Sequence, residues 1–237
     1  MPEVTAEAPP ARWGMGDAVL GIVLSLVLSL VGISVTLAVL DRSDADDLSL
    51  TEMLPAQACL WVGLLIPVVV AVRRKGASLE RDFRLVVRLR DVPIGLGIGL
   101  AAQIVIGLVV SILYEIAGVD ADRIGETAEE LTDKAEGALP VVALVLMVGL
   151  AAPVVEELFY RGLWLRAIER RARSTAIAVV ASSIVFGAVH FQVYDFVALS
   201  LAGLVFAWLA VRFDRLGPAI WAHVAFNLTA VVSLLAT

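Results

Sequence analysis

Long apolar runs recur along the chain, broken by short polar segments. Seven can be read, at about 17–40, 54–72, 92–118, 139–160, 175–191, 196–211 and 217–236, each close to the length a hydrocarbon layer asks of a helix. Inside a bilayer every backbone N–H and C=O must be satisfied within the spanning segment, so an open run of this kind is helical. The expected fold class is all-α, a polytopic transmembrane helical bundle of about seven spans with room for an eighth helix. The third run is long enough to tilt or to carry an interfacial end. Within it, Gly95-Leu-Gly-Ile-Gly99 follows no strand, so close helix packing is a better reading than a nucleotide loop. The pattern divides the chain into a tail, 1–16, N-terminal spans, 17–138, and a C-terminal core, 139–237.

Composition sharpens this picture. Hydrophobic residues make up 60% of the 237 and charged ones 18%, against about 45–50% and about 25% in soluble domains. A net charge of −6 argues against nucleic acid as a partner. Cys59 is the only cysteine, which excludes an intrachain disulfide and a cysteine-based metal site. Met1 to Arg12 contains Glu3 and Glu7 and lacks the basic start of a signal peptide, so the first run is read as an uncleaved span.

Charge also orients the spans. Fifteen of the 18 Lys and Arg, Arg161 among them, fall on one side; Arg42, Arg123 and Lys134 sit among acids on the other. By the positive-inside rule the N-terminus is cytoplasmic and the C-terminus external, in a multi-pass plasma-membrane protein. Trp13, Trp164, Trp208 and Trp221 map near the cytoplasmic boundary, where interfacial anchors belong. Residues 77–90 alternate apolar and basic positions, as either an amphipathic helix on anionic headgroups or a plain loop would. The acidic segments 41–52 and 120–136 read as solvated.

Ionisable groups within spans are costly and mark function by default. The fourth run carries Pro153-Val-Val-Glu156-Glu157-Leu-Phe-Tyr-Arg161, the fifth ends in Phe186-Gly-Ala-Val-His190, and the seventh carries His223-Val-Ala-Phe-Asn227. Adjacent helical residues diverge by about 100°, so the two carboxylates cannot share a direction. Glu157 and Arg161 stand at i, i+4 in the favourable order for an ion pair, which leaves Glu156 to face a cavity. Pro153 removes the helical bond to the Gly149 carbonyl and predicts a kink or water pocket just before Glu156. Three chemistries suit these residues: water activation with oxyanion stabilisation, a metal site of Glu156, His190 and His223 such as Zn2+, and a proton relay in a transporter. No HExxH or Ser-His-Asp protease pattern is present, and the two halves show no repeat of the transporter kind.

Glu156-Glu157-x-x-x-Arg161, Phe186-x-x-x-His190 and His223-x-x-x-Asn227, each in its own span, resemble the three motifs of the CPBP intramembrane proteases. That family includes the type II CAAX prenyl proteases, the Abi proteins and lysostaphin-resistance-like proteins. The resemblance covers about 139–232. It implies an intramembrane endopeptidase acting on a membrane-associated protein or peptide. Glu156 and His190 would activate the water, His223 and Asn227 would form the oxyanion hole, and Glu157, Arg161 and Phe186 would support the site. A metal-free glutamate mechanism is expected, with no cofactor; a zinc enzyme and a non-proteolytic immunity or scaffold protein of the same fold are the alternatives. The short loops and the length suit a bacterial member, in which prenylated substrates are rare.

One consequence of these boundaries is awkward. They put Glu156 near the cytoplasmic end of its span and His190 roughly 22 Å in, at 1.5 Å per residue. The mechanism therefore requires the fourth span to extend toward Arg170 and Glu156 to move to mid-depth.

Overall fold

The computed structural model describes residues 12–119, 123–135 and 137–236. Most of the N-terminal tail, with Glu3 and Glu7, and part of the acidic segment 120–136 lie outside the described residues. Within them the chain forms eight helices and no strand: α1 Met15–Leu40, α2 Leu50–Arg74, α3 Asp91–Ala117, α4 Glu126–Asp133, α5 Ala138–Ala172, α6 Thr175–Ala188, α7 Phe196–Arg212 and α8 Gly217–Leu235. Five of these (α1, α2, α3, α5 and α8) are long and apolar enough to cross a membrane, while α6 and α7 are shorter apolar helices. The chain is a multi-pass all-helical membrane protein. The exposed faces of α1 and α3 carry Val23, Val27, Leu30, Ile104, Val105 and Leu108, the inverse of a soluble surface and suited to lipid.

The fourth element differs from its expected range. It continues past residue 160 to Ala172, because Arg161 is buried inside the bundle and does not belong to a loop. The basic side thus loses one of its fifteen cations to the interior. Glu156 now lies about as far before the turn at 173–174 as His190 lies after it, so the α5–α6 hairpin brings the two to similar depth.

Helices pack in pairs, α1 on α2, α3 on α8 and α6 on α7. Glycines set the closest approaches. A Cβ on Gly99 would meet the Ala222 carbonyl oxygen at 2.1 Å, and one on Gly95 would meet Trp221 Cβ at 2.4 Å. The glycine run is therefore a packing surface against α8, at the residue preceding His223. Gly97, on the other face, has nothing near its missing side chain.

At one end of the bundle, ion pairs tie the loops together. Arg170 reaches Asp82 at 3.2 Å, Arg84 reaches Asp214 at 3.2 Å and Arg215 holds Asp91 at 2.6 Å. Residues 77–90 form turns and an extended strap, with Phe83 fully buried. The backbone N–H groups of Leu216 and Gly217 donate to Arg84 and Val86 carbonyls at 2.9 and 3.0 Å. The plain-loop reading holds, since a buried Phe83 and backbone bonds to the start of α8 anchor the strap more firmly than an amphipathic surface would. Trp13 packs on Phe83 under the Arg170 guanidinium, 3.7 Å from its ring, and Trp164 is buried too. These two are core residues at that end; Trp208 alone of the four is exposed.

Candidate active site

The acidic pair sits in an irregular stretch of α5. The six α-helical residues Ala152–Glu157 lie between two π-helical turns, Val145–Ala151 and Leu158–Trp164. Such turns are rare and concentrate at functional sites. The first has an identifiable cause. Ala152 donates its N–H to Met147, five residues back, and Pro153 has no N–H to give. The Val148 carbonyl is thus stripped of both its α-type and its π-type donor. Asn227 supplies the replacement, donating from Nδ2 at 2.8 Å. The disturbance expected at Pro153 is this π turn, and one N–H of Asn227 is committed to closing it.

Glu157 and Arg161 pair as their spacing predicts. Glu157 Oε1 lies 3.0 Å from Arg161 Nη1, with both side chains 0% exposed. The second π turn begins just after Glu157 and contains Arg161. Arg161 also donates from Nη2 to the Gly203 carbonyl at 3.0 Å, and its guanidinium lies over the rings of Phe186 and Phe206 at 4.4 and 5.5 Å. The same Glu157 oxygen accepts from His223 Nδ1 at 3.1 Å. A carboxylate only accepts, so that bond fixes the hydrogen on Nδ1 and leaves Nε2 to face Glu156. Glu156 Oε2 stands 3.9 Å from His223 Nε2, beyond hydrogen-bond range but close enough for charge to matter. Phe206 stacks on the His223 ring at 4.6 Å. Arg161, Glu157, His223 and Glu156 thus form one continuous chain of charged and polar groups.

His190 is held from its other side. Its Nδ1 lies 2.6 Å from the Phe186 carbonyl oxygen; the carbonyl can only accept, so a neutral ring carries its hydrogen on Nδ1 and its lone pair on Nε2. Phe186 meets the ring edge-on, 4.8 Å between centroids. His190 sits in the turn just past α6, and the next residue, Phe191, has φ 57°, a left-handed conformation uncommon outside glycine.

Glu156, Phe186, His190, His223 and Asn227 all line one cavity of about 550 Å³. Glu157 and Arg161 stand behind it, buried. Among the described residues no three His, Cys, Asp or Glu side chains are grouped as a metal ion would need. Glu156, His190 and His223 share the cavity wall without forming a ligand set, and His223 Nδ1 is already taken by Glu157.

The cavity has polar walls that the motifs do not mark. Asp195, at the start of α7, lines it and accepts from the Gly125 N–H at 2.9 Å. Burial pushes its carboxyl above the usual range and Glu126 adds to this, against the opposing pull of the Gly125 N–H and His190. Gln57 and Trp61 of α2 and Gln103 of α3 also face it. A glutamine inside an otherwise apolar run was the signal that could have found them; Asp195, in a turn, carried none.

Residues 138–229 match the family Type II CAAX prenyl endopeptidase Rce1-like. The resemblance drawn from the three motifs is borne out, and every motif residue falls within this Rce1-like stretch. The chain is also similar to the "Putative membrane peptidase YdiL" of Bacillus subtilis (strain 168), with 27% identity over 126 residues. That alignment covers 53% of this chain and 49% of the relative, so the chain spans about half the length of the curated relative it matches. No solved structure matches the chain. Helices α1 to α4 lie outside the Rce1-like segment, although they wall the same cavity.

Proposed function

We propose that the protein is an intramembrane endopeptidase that hydrolyses a peptide bond of a membrane-associated protein or peptide, with Glu156 as general base. The observation that carries this reading is the joining of Glu156 of α5, His190 of the turn after α6, and His223 and Asn227 of α8 in one cavity backed by a buried Glu157–Arg161 pair. A cluster of this kind in a bilayer interior is costly unless it is used.

In this mechanism a water in the cavity gives a proton to Glu156 as its oxygen bonds to the substrate carbonyl carbon. His190 Nε2, free because Nδ1 is bonded to Phe186, orients that water. The carbonyl oxygen takes up the electron pair, and the second N–H of Asn227, together with His223, stabilises it. The C–N bond then breaks, its electron pair stays on nitrogen, and the proton held by Glu156 passes to the departing amine. Glu157 and Arg161 orient His223. No step requires a metal ion.

General acid–base groups contribute about 10²–10⁴-fold. Glu156→Gln should lower cleavage of membrane proteins by that factor while leaving thermal unfolding unchanged. The readout is comparative mass spectrometry of new N-termini in membranes carrying wild type or variant. Equal product patterns would remove Glu156 from the mechanism and favour the binding or immunity role.

A further inference from the structure

Among the described residues, the cavity that holds Glu156 has a side on which its walls do not join. Leu30 and Ile33 of α1 line it on one flank, and Gly107 and Val110 of α3 on another. Helices α1 and α2 pack on each other and on α5, and α3 packs on α7 and α8, but neither α1 nor α2 has a packed interface with α3. Leu30 lines the cavity and is nonetheless 66% exposed, so it stands where the cavity meets the surroundings of the bundle. Gly107 is open as well. A Cβ there would meet nothing within 4 Å, whereas one on Gly95 or Gly99 of the same helix would strike α8. Glycine is a poor helix former, and at Gly107 no close neighbour demands it. Both residues lie deep in their spans. Leu30 precedes the end of α1 at Leu40 by ten residues, and Gly107 precedes the end of α3 at Ala117 by ten, about 15 Å at about 1.5 Å per residue. The starts of both helices are farther away still, so the gap opens on hydrocarbon and not on water.

We propose that the gap between the α1–α2 pair and α3 is a lateral portal, with Leu30 and Gly107 on its two lips, through which an apolar membrane segment of a substrate protein passes from the lipid to Glu156. The proposal rests on the peptidase reading above. At this depth only lipid tails and membrane-embedded polypeptide can reach the opening. The cavity behind it carries Glu156, His190, His223 and Asn227, which act on a peptide bond and have no use for a hydrocarbon tail. The occupant is therefore polypeptide. The lips carry no charge, so an apolar segment crosses them without leaving an apolar environment, while an Arg or Asp in the segment would find no partner at the entry. Substrates are thus proteins held in the bilayer by an apolar segment, and not peptides that arrive from water.

The test narrows the portal from each lip in the full-length protein, with Gly107→Leu, Gly107→Trp and Leu30→Trp. Wild type, Glu156→Ala and Gly97→Trp stand beside them; Gly97 is an open position on α3 that does not line the cavity. Two quantities are measured: new N-termini of membrane proteins in cells expressing each form, and thermal unfolding of each purified protein in detergent. The portal predicts at least a tenfold loss of cleavage products in both Trp variants of the lips, a smaller loss in Gly107→Leu, and wild-type products in Gly97→Trp. Unfolding temperatures of the Gly107 variants should equal or exceed that of wild type, since the added side chain begins in open space and a helical glycine is removed. Wild-type product levels in Gly107→Trp overturn the proposal, as does an equal loss in Gly97→Trp. Loss in Gly107→Trp but not in Leu30→Trp also overturns it, because the indole would then be filling the catalytic cavity and not its entry. So does loss of product in Gly107→Leu and Gly107→Trp together with lowered unfolding temperatures, which marks Gly107 as structural. If wild type and Glu156→Ala give the same products, the peptidase reading itself fails and the portal falls with it, an outcome distinct from the others because the portal variants play no part in it.

Discussion

At the scale of single residues, the decisive fact is how Glu157 is used. Arg161 and His223 both converge on its Oε1, while its Oε2 is buried without a hydrogen-bond partner among the described residues. Arg161→Leu should therefore strand a buried carboxylate and cost about 3–5 kcal/mol of stability. The double variant Glu157→Leu/Arg161→Leu should recover most of that loss, since a well-packed apolar pair is often as stable as the ion pair it replaces. It should not recover cleavage, because His223 would have lost the acceptor that fixes its ring. Chemical or thermal unfolding alongside product analysis separates the two effects; recovery of both would make the pair a packing device alone. Asp195 gives a pH signature at the same scale. Burial holds its folded carboxyl above the unfolded value, so the folded state binds the proton more tightly. Ionisation then counts against folding, fully so once the pH is above the folded pKa. Asp195→Asn, whose side-chain oxygen can still accept from Gly125, should be more stable than wild type at neutral pH. The advantage should vanish as the pH falls below the ordinary carboxylate range, and a wild type equal to the variant at every pH would show that burial has not shifted this group.

At the scale of elements, the site depends on α5 departing from regular helix. The motif residues and the Glu157–Arg161 pairing are visible in the chain because they rest on local spacing. The first π turn is not, since it depends on a partner 79 residues away: Asn227, whose donation to Val148 completes a bond that Pro153 cannot. The sequence points to Pro153 as a point of disturbance but cannot show which side chain repairs it. For the same reason Asn227 reads as an oxyanion donor alone, when it also holds the first turn of the acidic segment. Asn227→Ala should thus cost about 1–3 kcal/mol by orphaning the Val148 carbonyl, in addition to its effect on catalysis. A variant that loses cleavage with no change in unfolding would confine Asn227 to the chemistry. The extension of α5 to Ala172 is not visible in the apolar run itself, which stops near residue 160, but it is what the mechanism requires of the fourth span, and the burial of Arg161 among Glu157, Gly203 and Phe186 supplies the reason.

At the scale of the whole molecule, the two ends of the bundle are chemically unlike. The loops after α2, α5 and α7 meet through Arg170–Asp82, Arg84–Asp214 and Arg215–Asp91. At the opposite end Lys134 bonds the Asp46 carbonyl and Tyr114 bonds that of Tyr194. The sidedness inferred from charge therefore corresponds to physical contacts, because loops that must pack together must leave the membrane on the same face. We propose that the first end, with its cationic excess, meets the cytoplasm, since cytoplasmic loops retain Lys and Arg. Starting from Cys59→Ser to remove the only thiol, Ser43→Cys and Glu80→Cys place a probe at each end, both at exposed positions. A membrane-impermeant maleimide should label Ser43→Cys in intact cells and Glu80→Cys only after lysis. The reverse pattern would put the Arg-rich end outside and overturn the cytoplasmic N-terminus, while leaving the cavity and its residues as they stand.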